Sequence, residues 1–399
     1  MSAERQAGLP QSLLLLFGSC LPVLGAVLIA PVLPRMQEHF DGTPGVEVLT
    51  PIALTIPALV IALLGPFAGM IADRLGRKPL LLGSLMLYAI CGLLPLWLET
   101  LPGIVASRAG LGLAEAGIMT CSTALMADYY QGARRERLFA LQMVATSLCA
   151  AIFIAVGGAL GQSDWRVPFV LYSAGLMLLP VMAWLLWEPK PVVDLPKAKV
   201  PEYFPWGALL PLYGLTTLAG ISLFIVPVQA GYLLNLLHVD APQQIGMTMG
   251  ANQFGVLVGA LMFRLMGRLR RQNLLLSAFA TAGIGGLLMA QASNHSMMVI
   301  AVLVNGLGIG LMLPTLITWV MTRVSFAQRG RASGGFTAAL FAGEFISPLV
   351  VMALKGAELT SLPLALTFIA IGQLILALLC LGLPRIFRSL AEPTPRTAV

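Results

Sequence analysis

The chain has 399 residues, of which 58% are hydrophobic and only 10% are charged. In soluble domains about a quarter of the residues are charged, so this composition excludes an ordinary soluble protein. The net charge of +7 could suggest a nucleic-acid partner. However, the basic residues lie in small groups between apolar blocks rather than along one face with aromatic residues. We therefore predict a membrane protein that does not bind nucleic acid.

Apolar windows predict an all-α protein with twelve membrane-spanning helices, because about 20 apolar residues are needed to cross the hydrocarbon core. A membrane β-barrel would require strands in which polar and apolar residues alternate, and these windows do not show that alternation. The run after "FGSC" (17–20) stays apolar, so we interpret it as part of the first span and not as a cleaved lipoprotein signal. The predicted spans are 12–34, 50–72, 80–98, 102–127, 137–161, 166–187, 206–234, 242–266, 272–292, 296–322, 331–355 and 360–383.

A polar segment containing Pro and Lys divides these spans six and six. We predict an N-terminal six-helix bundle (1–187), a cytoplasmic linker (188–205) and a C-terminal six-helix bundle with a short tail (206–399). Three sequence matches recur in order roughly 195 residues apart, which indicates an internal repeat. One of them pairs "VLIAPV" (27–32) with "LFIVPV" (223–228).

The basic residues are distributed unequally between the two sides of the predicted bundle. Of the 24 lysines and arginines, 20 fall at the termini, in the even-numbered loops or in the linker. Only Arg35, Arg166 and Lys355 fall on the other side, and Arg108 lies inside a span. The positive-inside rule then places both termini in the cytoplasm. All five cysteines lie in apolar runs without a CxxC pair, so we predict packing residues, no metal site and no cofactor.

The loop after the second span, "GMIADRLGRKP" (69–79), resembles the loop signature of the major facilitator superfamily. The resemblance implies a transporter whose two six-helix bundles have cytoplasmic termini. It also implies that Asp73 meets the start of the eleventh span (331–334), that Arg77 pairs with Asp128, and that this latch holds the outward-facing state closed on the cytoplasmic side. The alternative is that the charges only set topology. The second half lacks this cluster, because Met266 occupies the position where an Asp would be expected. The predicted latch residues are Gly69, Asp73, Arg74, Gly76, Arg77, Lys78 and Asp128.

Three ionisable residues, Arg108, Glu115 and Glu344, lie at membrane depth, where charges are costly and usually functional. "SRAGLGLAEAGI" (107–118) resembles the superfamily's fourth-helix signature, and Glu115 resembles the Glu of Spinster-like members. We predict that these three residues carry proton coupling; hydrogen-bonded packing is the alternative. Polar side chains that could line a substrate cavity, or instead only bridge helices, are Gln142, Gln229, Asn252, Gln253 and Asn305.

The resemblance to drug/proton antiporters and Spinster-like transporters implies a multi-pass protein of the cytoplasmic (inner) membrane that works by alternating access. We expect a monomer that exports a small drug-like, amphipathic or siderophore-type compound in exchange for protons, with membrane lipids around it. One alternative is proton-coupled uptake of an organic anion recognised by Arg108. A remote one is an intramembrane enzyme. The fifth span departs from the antiporter signature, because it keeps Gly157 and Gly158 without the signature's proline.

Overall fold

The computed structural model describes residues 7–189, 204–266, 269–325, 328–355 and 361–386. Within these ranges the regular structure is entirely helical. Most of the predicted linker, including Lys190, Lys197 and Lys199, lies outside the described residues. The α-helices are α1 (Leu9–Val27), α2 (Leu33–His39), α3 (Val46–Leu75), α4 (Arg77–Leu93), α5 (Leu101–Tyr129), α6 (Gly132–Leu160), α7 (Ala174–Leu185), α8 (Trp206–Leu236), α9 (Pro242–Leu265), α10 (Arg271–Ala290), α11 (His295–Met321), α12 (Arg329–Lys355) and α13 (Leu362–Ile386).

Twelve segments of the described chain are long and apolar enough to cross a membrane, which confirms the predicted number of spans. The first span runs from Leu9 to His39 and joins α1 and α2 through a 3₁₀ turn, Ala30–Val32. It is longer than the predicted 12–34, because Pro31 and Pro34 lie in the first turns of new helical segments, where proline is tolerated. From α3 onward, each helix αn forms or completes span n−1.

Helix packing is extensive within residues 7–189, the first half, and within residues 204–386, the second half. In the second half, α9 and α11 touch through their backbones at Gly255, Gly259, Gly306 and Gly310. A methyl group added at any of these four glycines would overlap a backbone atom of the facing helix. Between the halves, the main contacts pair α6 with α9 and α3 with α12. Small residues permit such close helix contacts inside a membrane.

The two halves meet closely at the end where α6 finishes and α9 begins. There Gly158 faces the Pro242 carbonyl oxygen and lies against Gly246, so neither glycine has room for a side chain. Gln162 Nε2, in the turn after α6, donates to Gln243 Oε1 of α9 at 2.7 Å. An ion pair of 3.9 Å between Lys355 Nζ and Glu47 Oε2 joins α12 to α3 at this end. These contacts close the bundle on the side opposite to the start of α1.

The halves are separated at the other end, where α3 finishes and α12 begins. Gly69 on α3 and Gly330 and Gly334 on α12 have no neighbouring atom within 4 Å of an added Cβ. Large apolar side chains on this end of α3, including Phe67 and Met70, are exposed. The structure is therefore open toward the end that carries residues 69–79 and closed at the opposite end. These residues were predicted as a loop, but they are helical except at Gly76, where α3 ends and α4 begins.

Candidate transport cavity

A cavity of about 460 Å³ lies between the two halves, at the middle of the spans. Helices α1, α3, α5 and α6 form its wall in the first half, and α8, α9, α11 and α12 form its wall in the second. Most of the lining is aliphatic, with Phe224 and Phe341 as its aromatic residues. The polar and ionisable lining residues are Ser19, Glu115, Thr123, Gln142, Thr146, Ser147, Gln253 and Glu344. A site of this size and apolar character suits a small organic molecule.

Glu115 is the ionisable residue that the first half contributes to the cavity. Its side chain comes from the middle of α5 and is only 1% exposed. The carboxyl group lies against α1 at Gly25, where an added methyl group would overlap Glu115 Oε1. The lack of a side chain at Gly25 thus leaves the space that the carboxyl group occupies. Oε1 has no hydrogen-bond partner among the described residues.

Arg108 lies on the same helix face but outside the cavity lining. Its side chain is fully buried, and its guanidinium donates to the carbonyl oxygens of Ala53 at 3.0 Å and of Gly25 and to the Tyr172 hydroxyl. These three partners lie on α3, on α1 and next to α7. They tie Arg108 into the packing of the first half, where each of its three guanidinium nitrogens has a partner. Arg108 therefore lies behind the cavity wall while Glu115 lines the cavity, and a role of Arg108 in proton coupling stays a prediction.

Glu344 is the ionisable residue that the second half contributes. It lies on α12, 5% exposed, next to the point where Gly343 contacts Gly220 of α8 through the backbone. In the part of the chain that the structure describes, Glu344 makes no hydrogen bond or ion pair. The cavity lining contains no Lys, Arg or His. The cavity lining thus holds two buried carboxyl groups, one from each half, and Arg108, which packs against Gly25 as Glu115 does, lies behind the wall on the Glu115 side only.

The five polar residues predicted for the cavity separate into two groups. Gln142 and Gln253 line it, and Gln142 donates to Ser19 Oγ at 2.9 Å. Asn252, Asn305 and Gln229 are buried outside the lining. Asn252 donates to the Val302 carbonyl at 2.8 Å and Asn305 to the Ala282 carbonyl at 3.0 Å, so each asparagine joins neighbouring helices of the second half. For these two, the helix-bridging alternative describes the geometry.

The segment 69–79, at the junction of α3 and α4, holds a group of charges at the open end. Arg77 contacts the carboxylate of Asp128 at the end of α5, and Arg77 Nη2 lies 3.8 Å from Asp73 Oδ1. The Asp73 side chain is 74% exposed and makes no ion pair with the start of α12. Gly76 has φ +91°, which a residue with a side chain would adopt only with strain. In this open conformation the predicted contact of Asp73 with 331–334 is not made.

Glu188, which was not among the residues predicted from the sequence, contacts the start of α4. Its carboxylate accepts from the backbone N–H groups of Arg77 and Lys78, at 2.8 Å each, and so caps the start of α4. The neighbouring Trp187 stacks on Tyr129 with ring centroids 4.4 Å apart. The sequence does indicate that α4 needs a cap from elsewhere, because the helix follows Gly76 directly and has no Ser, Thr, Asp or Asn at its N-cap position.

Comparisons with known proteins agree with this architecture. The multidrug efflux protein YfmO of Bacillus subtilis is 25% identical over 372 residues, which cover 90% of each chain. The class C tetracycline resistance protein of Escherichia coli is 25% identical, over 85% of this chain and 88% of its own. The class H tetracycline resistance protein of Pasteurella multocida is 27% identical over 44% of each chain.

Solved structures show the same fold. A bacterial homologue of the human lysosomal transporter Spinster, in an inward-facing and occupied conformation, superposes with a TM-score of 0.76 at 16% identity, covering 97% of this chain and 100% of its own. A D-xylose–proton symporter has the same TM-score and identity, covering 93% and 96%. The sequence profile of the major facilitator superfamily matches residues 15–348. The chain is therefore a multi-pass inner-membrane transporter, not an enzyme, and it belongs to the major facilitator superfamily.

Proposed function

We propose that this transporter exports small drug-like, amphipathic or siderophore-type organic compounds in exchange for protons. The observation that carries the proposal is the pair of buried carboxyl groups, Glu115 and Glu344, which face one apolar cavity from opposite halves. Buried ionisable groups inside a membrane are costly and are retained where they move protons or bind substrate. The printed names of relatives, a multidrug efflux protein and tetracycline resistance proteins, support export.

The bundle works, in this proposal, as two six-helix units with both termini in the cytoplasm. The open end of the structure is then the cytoplasmic end, and the cavity receives its substrate from the cytoplasm or the inner leaflet. Outward opening breaks the contacts of α6 with α9 and brings the start of α12 toward the segment 69–79, where Asp73 can meet the unpaired N–H groups of α12. The protein acts as a monomer in contact with membrane lipids.

Uptake of an organic anion recognised by Arg108 fits the geometry less well. A receptor for an anion needs free donors that face the cavity, whereas Arg108 donates to Ala53, Gly25 and Tyr172 and lies outside the lining. Breaking those hydrogen bonds to reach a substrate would leave buried carbonyl groups without partners. Export therefore remains the better-supported direction.

The test uses purified protein in liposomes and inverted membrane vesicles, with tetracycline, chloramphenicol and ethidium as probes. Wild-type protein should concentrate at least one probe inside inverted vesicles when their interior is acidified. If Glu115 carries the proton, Glu115→Gln should still exchange probe across the membrane but should not concentrate it, because a group that cannot change protonation cannot transmit the gradient. Glu99→Gln removes an exposed carboxyl group outside the cavity and serves as the control.

Three results would contradict the proposal or part of it. Failure of the wild-type protein to concentrate any probe would reject proton-driven export. Accumulation that survives Glu115→Gln but is lost in Glu344→Gln, measured with the neutral probe chloramphenicol, would move the proton to α12. Accumulation that survives both substitutions would reject coupling by either carboxyl group.

A further inference from the structure

The cavity lining contains acidic but no basic side chains, and this composition bears on the class of substrate. Its two ionisable groups are both acidic, and its other polar groups are hydroxyls and amides. Arg108 is fully buried behind the cavity wall, where it and Glu115 both pack against Gly25 of α1, and it donates to partners inside the first half. An anion entering this cavity would therefore lose its hydration without meeting a free basic donor in the lining, which is strongly unfavourable in a low-dielectric site.

A cation would meet the opposite situation. Glu344 is 5% exposed, lacks a partner among the described residues and faces the cavity from the second half. Phe341 lies one turn earlier on the same helix, and Phe224 lines the adjacent wall on α8. Aromatic faces stabilise a desolvated cation, and a carboxylate supplies the opposite charge. The aliphatic remainder of the lining accommodates the apolar part of an amphiphile.

We propose that the cavity selects hydrophobic organic cations and that Glu344 is the residue that recognises their charge. This deepens the proposed export function and rests on it. The two carboxyl groups then have separate roles: Glu115, enclosed between α5 and Gly25 of α1, exchanges the proton, and Glu344, in the wall of the second half, binds the cation. Each half of the transporter contributes one carboxyl group: that of Glu115 takes the proton, and that of Glu344 takes the organic cation.

The experiment compares two ions of nearly the same size and shape but of opposite charge, tetraphenylphosphonium and tetraphenylborate. Binding to purified protein in detergent is measured by equilibrium dialysis, with protein-free micelles as background. Wild-type protein should bind the phosphonium at least tenfold more tightly than the borate. Glu344→Gln should weaken phosphonium binding by tenfold or more, Glu344→Asp should weaken it less, and Glu99→Gln should leave it unchanged.

Several results would overturn the inference. Equal or tighter binding of tetraphenylborate by the wild-type protein would show that the cavity does not select cations, whether or not the Glu344 variants fold. Wild-type phosphonium affinity in folded Glu344→Gln would remove Glu344 from recognition. Binding of neither ion would also reject it, since an open cavity with an unpaired carboxylate should retain a hydrophobic cation. Because the assay needs no proton gradient, its failure is distinguishable from a failure of proton-driven export.

Discussion

The closed contact between α6 and α9 allows a substitution whose consequence can be worked out from the structure. A methyl group added at Gly158 would overlap the Pro242 carbonyl oxygen and lie 3.1 Å from Gly246 Cα. The facing atoms are backbone and cannot change rotamer, so Gly158→Ala must push the helices apart in this conformation only. Overpacking of this kind costs about 1–3 kcal/mol. The conformational equilibrium should therefore shift about 5- to 150-fold toward the state in which α6 and α9 are separated.

The shift is measured by cysteine labelling from outside the cell in a protein whose five native cysteines are replaced by alanine. Val27 lines the cavity beneath the closed end and is 5% exposed, so Val27→Cys reports opening at that end. Gly158→Ala should accelerate its reaction with a membrane-impermeant maleimide. Gly250→Ala, on α9 but with nothing within 4 Å, is the matched control. Equal labelling rates in both variants, at unchanged thermal stability, would show that this contact does not hold the end closed.

Three further substitutions test other parts of the structure. Asp73→Asn should fold normally, because the carboxylate is 74% exposed in this conformation and contributes little to stability. If the latch forms in the outward-facing state, the substitution should strongly reduce transport. Normal transport would mean that the charges of this segment only set the topology. Glu47→Gln removes the ion pair with Lys355 and should accelerate Val27→Cys labelling less than about fivefold, since such pairs contribute at most ~1 kcal/mol; an effect equal to that of Gly158→Ala would contradict this ranking. Glu188→Ala removes the cap of α4 and should lower the free energy of unfolding by about 1 kcal/mol, measured by thermal denaturation; unchanged stability would show that water replaces the cap.

The number of spans could be predicted from the sequence because every span must present apolar side chains to lipid, whatever it packs against. The ends of the first span could not, since the prolines that usually stop a helix begin new helical turns there. Burial of Glu115 and Glu344 could be expected from their depth alone. That they share one cavity, whose lining has no basic side chain, depends on how α5 and α12 are rotated in the assembled bundle.

The sequence does not specify how each helix is rotated about its own axis in the bundle. Asn252 and Gln253 are adjacent on α9 and equally polar, yet Asn252 donates to Val302 of α11 while Gln253 lines the cavity. In a soluble helix the polar side chains mark the face turned to water. In a membrane the lipid-facing side is as apolar as the packed side, so polarity does not distinguish a cavity from a helix contact. The partners of Arg108 were unpredictable for the same reason.

The glycine contacts between α9 and α11 have a mechanical consequence. Because backbone lies directly on backbone at Gly255, Gly259, Gly306 and Gly310, the two helices leave no gap in which one could tilt independently of the other. When α9 leaves α6 it should carry α11 with it, and α11 contributes Leu313 to the cavity lining. The mouth of the closed end and one wall of the cavity then belong to a single moving body. Opening that mouth therefore reshapes the space around the substrate in the same motion, so release to the outside and loss of contacts to the substrate are one mechanical step.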